Sequence, residues 1–557
     1  MAGWARFKMR CERGDKIVLF YNEQLNPDGT VLYGPHAWWT YGPYQTDKFI
    51  SSGKKGLETF EPRFTYHGFR YIQINGLKNK PLLDDLKGVC VHTDPVQDGE
   101  FSCSNTDINK VQELIIRAQL NNLHSIPTDC PHREKIGWMG DGLITMEEAI
   151  CNFDMATFYS KWFHDMLDAQ EGDGHVPPIV PNPGWIEATS AKNPKDAIPV
   201  FSDPWWGGAV LMVPWNLYQY YGDRRPLEAG YDAMKAYVDW IGTRARDYIF
   251  VANLGDWIEP AAFSGAKVTP KDQIGTSAYF YFARFLSRLA IMLNKPDDGE
   301  KYSKLAENIL KKYNNKFFDT ETGLYTNHSQ LAQVIPLLFG MVPEGKEKLV
   351  EDQLINIITR KNNNHLNTGF IGTPLLFKLL TELGYSDLAY TMATQEDQPG
   401  WFYMLRNGAT TIWEVWDAVA QVDHSRDHPA LGSIGAWYYQ SLAGIQPDPA
   451  GPGFKKIIVK PEVAGDLTWA RASYRSIHGK ISSDWKREKG KFFLSIEVPV
   501  NTSATVYIPA DGLDSILEGN QPAKLSPHLT YIKKDMNKYV FEVGSGIYQF
   551  TSNYPEK

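Results

Sequence analysis

The 557-residue chain is 43% hydrophobic and 22% charged, with 46 Gly and 34 Pro, a globular composition that excludes disordered and collagen-like classes. A formal net charge of −8 without a long basic run argues against nucleic acid or an anionic membrane as the main partner. No uncharged apolar run reaches the roughly 18 residues of a membrane helix. The opening MAGWARFKMR lacks a signal-peptide core, so the chain as it stands is expected in the cytoplasm, or in the periplasm or medium if a longer parent carries an export signal.

Residues 1–104 read as an amino-terminal β-sandwich domain, whole or in part. Ala5, Phe7, Met9 and Cys11 alternate with Arg6, Lys8 and Arg10, the two-residue period of a half-buried strand. Gly14-Asp15 and Asn26-Pro27-Asp28-Gly29 are turn signals, and strands are expected again at 64–66, 69–74 and 88–92. From 105 to 444 the period turns helical. Asn105 or Thr106 can cap a helix with the stripe Ile108, Val111, Ile115 and Ala118. Leu227, Tyr231, Met234, Val238 and Ile241 repeat that stripe behind Pro226. About eleven or twelve such segments follow the pattern, near 142–169, 207–221, 226–246, 276–294, 298–315, 328–340, 345–360, 373–384, 386–395 and 431–443. No repeat of the roughly 33–45 residues of a solenoid is present, and a closed toroid of paired helices is expected. Over 445–557 the β period returns, at 454–460, at Leu494, Ile496 and Val498, and at Ala504, Val506 and Ile508, which predicts a small β-sandwich.

Five cysteines (Cys11, Cys90, Cys103, Cys130 and Cys151) form no CxxC pair and read as buried reduced thiols. Walker, GxGxxG, HExxH, EF-hand and GxSxG signatures are absent, and the 13 histidines lack metal-site spacing, so neither a metal nor an organic cofactor is expected. Carboxylates remain. Thr128–Asp141 packs three acids, two fixed cations, Trp138 and two glycines into a loop between predicted helices. An acid shielded there by tryptophan and close to other carboxylates can donate a proton near neutral pH; alternatively the segment is a salt-bridged loop with Asp141 capping the next helix. Trp413-Glu414-Val415-Trp416-Asp417 sets Glu414 between indoles, and His428 follows in Ser425-Arg426-Asp427-His428-Pro429. Two acids, each among aromatics, are the minimum equipment of glycoside hydrolysis. The 17 Trp, 29 Tyr and 27 Phe suit a sugar cleft as well as a core.

At these residues the chain resembles the bacterial α-L-rhamnosidases of glycoside hydrolase family 78. Asp129-Cys130-Pro131-x-Arg133-Glu134 followed by Gly137-Trp138-x-Gly140-Asp141 is similar to the family's central acidic motif, and Thr410–Asp417 to its second one. Trp206-Gly207-Gly208-Ala209, Gly255-Asp256-Trp257, the region around Phe64–Tyr71 and the carboxy-terminal Ser476-Ile477-His478-Gly479 carry the likeness along almost the whole chain. The resemblance implies an (α/α)6 barrel between two β-sandwich domains and an inverting exo-glycosidase that removes terminal α-L-rhamnose from an oligosaccharide, polysaccharide or glycoside. Within it Glu134 would be the general acid and Glu414 the general base. Asp129, Arg133 and Asp141 would bind rhamnose hydroxyls, with His428 in the same pocket, and Trp138, Trp206 and Trp257 would pack around the sugar and its methyl group. Gly208 stands where many members carry Asp, so a sugar or structural contact is expected to be missing. Loops 170–200 and 259–272 are expected to set the aglycone. The competing readings are a barrel glycosidase for another sugar and a carbohydrate-binding relative without catalysis; retention of both Glu134 and Glu414 argues against the latter.

Overall fold

The computed structural model describes residues 1–32, 44–184, 202–265, 267–421 and 423–554. In the amino-terminal region two small antiparallel sheets face each other. One is built on Ala2–Met9, which pairs with Glu58–Phe60, His67–Gly68 and Leu86–Cys90; the other runs Thr46–Ile50, Lys16–Asn22, Tyr71–Asn75. Their shared core is Ala5, Phe7, Met9, Ile17, Leu19, Tyr21 and Phe69, while Arg6 and Lys8 point to solvent, as the two-residue period demands. The strand ends at Met9, and Cys11 is only half-buried.

The central region is a ring of paired helices. Asn105 caps Thr106–Asn121, its Oδ1 accepting the Asp107 and Ile108 N–H groups at 3.0 and 3.2 Å, and the predicted stripe is fully buried. Lys271–Met292 packs along Pro296–Phe317, Ala156–Ala169 against Ala209–Tyr221, and Gln330–Leu338 against Gly372–Glu382. The ring closes where Ile434–Trp437 meets Met146–Asn152: Trp437 Nε1 donates to Thr381 Oγ1 at 2.8 Å, and Tyr439 OH to Asn152 Oδ1 at 2.9 Å. The helix predicted over 142–169 is three, Met139–Ile144, Met146–Asn152 and Ala156–Ala169: the first two part at Thr145, and the extended Phe153 turns the chain before the third. The one predicted over 226–246 breaks at Gly230 into Arg225–Ala229 and Tyr231–Arg244, with the apolar stripe continuing across the break.

The carboxy-terminal region is a sandwich of a seven-stranded and a five-stranded sheet. Strand Gly99–Cys103, which its position assigned to the amino-terminal domain, is the end strand of the seven-stranded sheet, paired with Trp469–Ser476. Sequence period identifies a strand but carries no record of its partner. Cys103, Cys130 and Cys151 are buried free thiols, whereas Cys90 is exposed on Leu86–Cys90, contrary to the expectation of five buried thiols. Among the described residues, no helix is long and apolar enough to cross a membrane.

Candidate active site

One end of the helix ring carries loops clasped to one another by buried carboxylates. Asp203 caps Pro204–Gly207 and reaches across to accept the Leu254 and Gly255 N–H groups at 3.1 and 2.9 Å. Asp256 in turn accepts from the N–H groups of Gly369, Ile371 and Gly372 at 2.6, 2.9 and 3.0 Å. The Phe370 ring from that loop lies 5.2 Å from the His428 ring, and His428 Nε2 lies 3.3 Å from Asp141 Oδ1. The circuit leads back to the 129–141 loop. Asp256 of Gly255-Asp256-Trp257 is therefore a builder of the rim, and Trp257 rides on it with 43% of its surface exposed.

Glu134 and Glu414 meet at Arg133. A single guanidinium nitrogen, Nη2, donates to Glu134 Oε1 at 3.1 Å and to Glu414 Oε2 and Oε1 at 3.0 and 3.2 Å. The two carboxylates thus lie within the length of two hydrogen bonds of each other, although 280 positions separate them in sequence. The second terminal nitrogen, Nη1, donates to the Asp423 carbonyl at 2.6 Å and so pins the 423–428 loop to the same side chain. Trp138 Nε1 donates to Glu134 Oε2 at 2.7 Å.

The environments of the two acids differ in sign. Burial pushes the Glu134 carboxyl up, and the charge of Glu414 adds to it, against the pull of Arg133 and Trp138. Burial also disfavours the Glu414 anion, but the Arg133 guanidinium, with the His424 ring close by, outweighs it and holds the carboxyl well below the usual range. His424 Nδ1 is 3.2 Å from Glu414 Oε1, and the Ser425 N–H donates to Oε2 at 2.8 Å. One group is thus biased toward its acid form and the other fixed as an anion.

The remaining predicted residues surround this pair. Asp129 Oδ1 accepts the Ile136 N–H at 3.1 Å and Oδ2 the Cys130 thiol at 2.8 Å, which ties the loop into a fixed turn. Its carboxyl, like that of Asp141, is pushed well up by burial and then by Glu134. Cys130 itself is buried and raised, an inert structural thiol rather than a nucleophile. Burial pushes His428 down to about 4. Its Nδ1 accepts the Ala430 N–H at 3.4 Å, so the neutral ring carries its proton on Nε2, the nitrogen that lies 3.3 Å from Asp141 Oδ1. Trp206 is buried under Gly140, where a Cβ would come within 2.3 Å of the indole. Position 208 has no room for a side chain: a Cβ there would lie 2.0 Å from Phe282 Cζ, so this chain has filled that space with an aromatic ring.

Sequence reasoning missed His424 and Ser425, both of which touch Glu414; the only signal was a second histidine four positions before His428. It also missed Phe263, whose ring stands edge-on to His424 at 6.2 Å. This residue lies in the 259–272 stretch expected to be a loop, on the short helix Pro260–Ser264 that opens it; Glu259 accepts from the Thr269 N–H and Oγ1 at 2.9 and 3.1 Å. Of the other predicted mouth loop, residues 185–200 lie outside the described residues.

Three family models match: the bacterial alpha-L-rhamnosidase 6 hairpin glycosidase domain over residues 96–442, the C-terminal domain over 444–521 and the concanavalin-like domain over 1–92. The chain is similar to an alpha-L-rhamnosidase of Streptomyces avermitilis, 34% identical over 99% of this chain and 51% of that protein. Among solved structures it is similar to the alpha-L-rhamnosidase from Dictyoglumus thermophilum (TM-score 0.89, 36% identity, 99% of this chain and 60% of that one). It is also similar to the Streptomyces avermitilis alpha-L-rhamnosidase complexed with L-rhamnose (TM-score 0.88, 33% identity, 99% and 51%). The chain spans between half and three fifths of the length of the curated relatives it matches. By its helix ring, its paired acids and these matches, the chain belongs to the bacterial α-L-rhamnosidase family, glycoside hydrolase family 78.

Proposed function

We propose that the chain is an inverting, exo-acting α-L-rhamnosidase that removes terminal α-L-rhamnose from an oligosaccharide, polysaccharide or glycoside. Glu134 is the general acid and protonates the leaving glycosidic oxygen; Glu414 is the general base and takes a proton from the water that attacks the anomeric carbon on the opposite face. The observation that carries the reading is the shared Arg133 nitrogen, with burial raising one of its two carboxyls and the Arg133 charge lowering the other. Trp138 fixes one oxygen of the acid and leaves the other facing Arg133. Asp129, Asp141 and His428 offer hydroxyl-binding groups, and the exposed indole of Trp257 offers the sugar an apolar face. A relative complexed with L-rhamnose supports the choice of sugar.

The test compares two leaving groups. On a rhamnosyl disaccharide, Glu134→Gln lowers kcat by about 10²–10⁴-fold, the span of general acid catalysis. On p-nitrophenyl α-L-rhamnopyranoside, whose leaving group departs without a proton, the loss is much smaller, whereas Glu414→Gln harms both substrates alike. Equal losses with Glu134→Gln would remove Glu134 from the acid's role. Proton NMR of the first-formed sugar shows the β anomer if the enzyme inverts, and the α anomer would overturn that part of the reading.

A further inference from the structure

We infer that Glu23, a residue of the amino-terminal β domain, is a positioning residue for Glu414 and acts through the 423–428 loop of the barrel. The inference rests on the reading of Glu414 as the base.

Glu23 follows the strand Lys16–Asn22 and is 6% exposed. Its Oε2 accepts the Arg426 N–H at 2.7 Å, and its Oε1 lies 3.4 Å from Ser425 Oγ and from His132 Nδ1. Those two atoms are 3.3 Å apart, and Ser425 Oγ accepts the Asp427 N–H at 3.0 Å. One peptide toward the base the loop is held from the other side. The Ser425 N–H donates to Glu414 Oε2 at 2.8 Å, and the Glu414 N–H donates to the Ser425 carbonyl at 2.9 Å. Consecutive backbone N–H groups, 425 and 426, are therefore gripped by the two glutamates in turn. Beyond them the His428 N–H donates to the Ile412 carbonyl at 2.9 Å, so the loop runs alongside the segment that carries Glu414.

A buried carboxyl is an expensive way to glue two domains, since an apolar side chain of the same volume does that without desolvating a charge. What a carboxyl adds is direction. It fixes the plane of one peptide, and the neighbouring N–H, which feeds the base, is turned with it. Burial and the facing Asp427 push Glu23 up to about 8, so near neutral pH it is largely protonated and glutamine reproduces its shape and hydrogen bonding. The same domain braces the acid's loop as well, through Tyr44 OH on the His132 carbonyl and through Lys135 Nζ, which donates to the Tyr66 carbonyl at 2.6 Å.

Glu23→Asp and Glu23→Gln separate reach from charge. Aspartate is one methylene short of Arg426; glutamine spans the gap without charge. On p-nitrophenyl α-L-rhamnopyranoside, Glu23→Asp is expected to lower kcat about tenfold or more, as a misplaced catalytic group does, with KM unchanged within about twofold. The acid limb of its kcat profile moves to higher pH, because Glu414 has lost alignment with a donor. Glu23→Gln keeps wild-type kcat and limb. Wild-type kcat in both variants overturns the inference. So does loss in Gln with retention in Asp, a change confined to KM, or unfolding of both, which would make Glu23 a domain fastener only. A Glu414→Gln control run alongside separates the two failures: if that variant stays active, the base has been misassigned, whatever the Glu23 variants do.

Discussion

Arg133 stands between two carboxylates that need opposite protonation states, and its Nη2 donates to both. Its charge stabilises the Glu414 anion more than that of Glu134, since Glu414 takes two of the three Nη2 contacts and also receives Ser425 and His424. Replacing the cation with an apolar chain of similar length, Arg133→Met, leaves two buried carboxyls facing each other, and one of them must rise. Rate falls on the acid side wherever the base is protonated, so the acid limb of kcat is expected to move up by about one pH unit or more, with kcat at its optimum down about 10²-fold or more. A pH–rate series on the wild type and the variant reads both; an unmoved limb would show that Glu414 is kept ionised by other groups. Of this site, Glu134, Arg133, Trp138 and Asp141 were legible because they share one short motif, and Glu414 because it sits between two tryptophans. His424, Ser425 and Glu23 were not. Each acts through contacts across the fold, and a contact between positions 23 and 426 leaves no local pattern to read.

The loops that carry these residues are clasped by Asp203 and Asp256, and the helix ends beneath them are fixed by packing. Pro204–Gly207 ends at Gly208, where Ala209–Tyr221 begins, and Phe282 packs directly against the backbone at that junction. Gly208 has φ −61°, which any residue can adopt, so its requirement is space alone. Gly208→Asp is expected to destabilise by about 1–3 kcal/mol through overpacking against Phe282, and to lower Tm in a thermal scan. Paired with Phe282→Ala the cost shrinks, because the clash is with that ring; a double variant as unstable as the sum of the singles would place the strain elsewhere. Helix existence was legible wherever the apolar stripe was, as in 106–121 and 231–241. Helix ends were not: at Gly230 and at Phe153 the stripe carries on while the backbone breaks, since packing against a curved ring needs the apolar surface but not an unbroken helix. The short helix Trp401–Arg406, outside every predicted segment, has too few turns to show a period.

Across the whole molecule, the three regions are joined by buried polar groups as well as by apolar contact, and that sets how stability responds to pH. Gly99–Cys103 lends the carboxy-terminal sheet its end strand, Trp485 Nε1 donates back to the Leu442 carbonyl at 2.7 Å, and Glu23 enters the barrel from the amino-terminal side. Burial, with Asp427 and Asp256 respectively, pushes Glu23 and Glu259 up to about 8, and burial pushes Asp203, Asp256 and Asp427 up to about 6. In an unfolded chain these carboxyls titrate near about 4. The folded state therefore holds protons that the unfolded state has lost. Their contribution to stability is complete below pH 4 and disappears as pH rises through the folded values, by pH 6 for the aspartates and pH 8 for the glutamates. Burial pushes His124 and His428 down to about 4, with the opposite consequence: their contribution is complete above about pH 6.5 and is lost as pH falls toward 4. The window from pH 6.5 to 8 is thus free of these two histidines and of these three aspartates, and Glu23 and Glu259 act in it beside Asp129, Asp141 and Glu148, whose carboxyls burial also holds well up. Each costs about 1.4 kcal/mol per pH unit while the folded state stays protonated. Tm measured by calorimetry is expected to fall steadily from pH 6.5 to 8. Glu23→Gln and Glu259→Gln, which cannot ionise, should each flatten the slope, and the double variant should flatten it more than either. A wild-type Tm that holds level or rises over this window would mean that both glutamates are already ionised in the folded protein at pH 6.5.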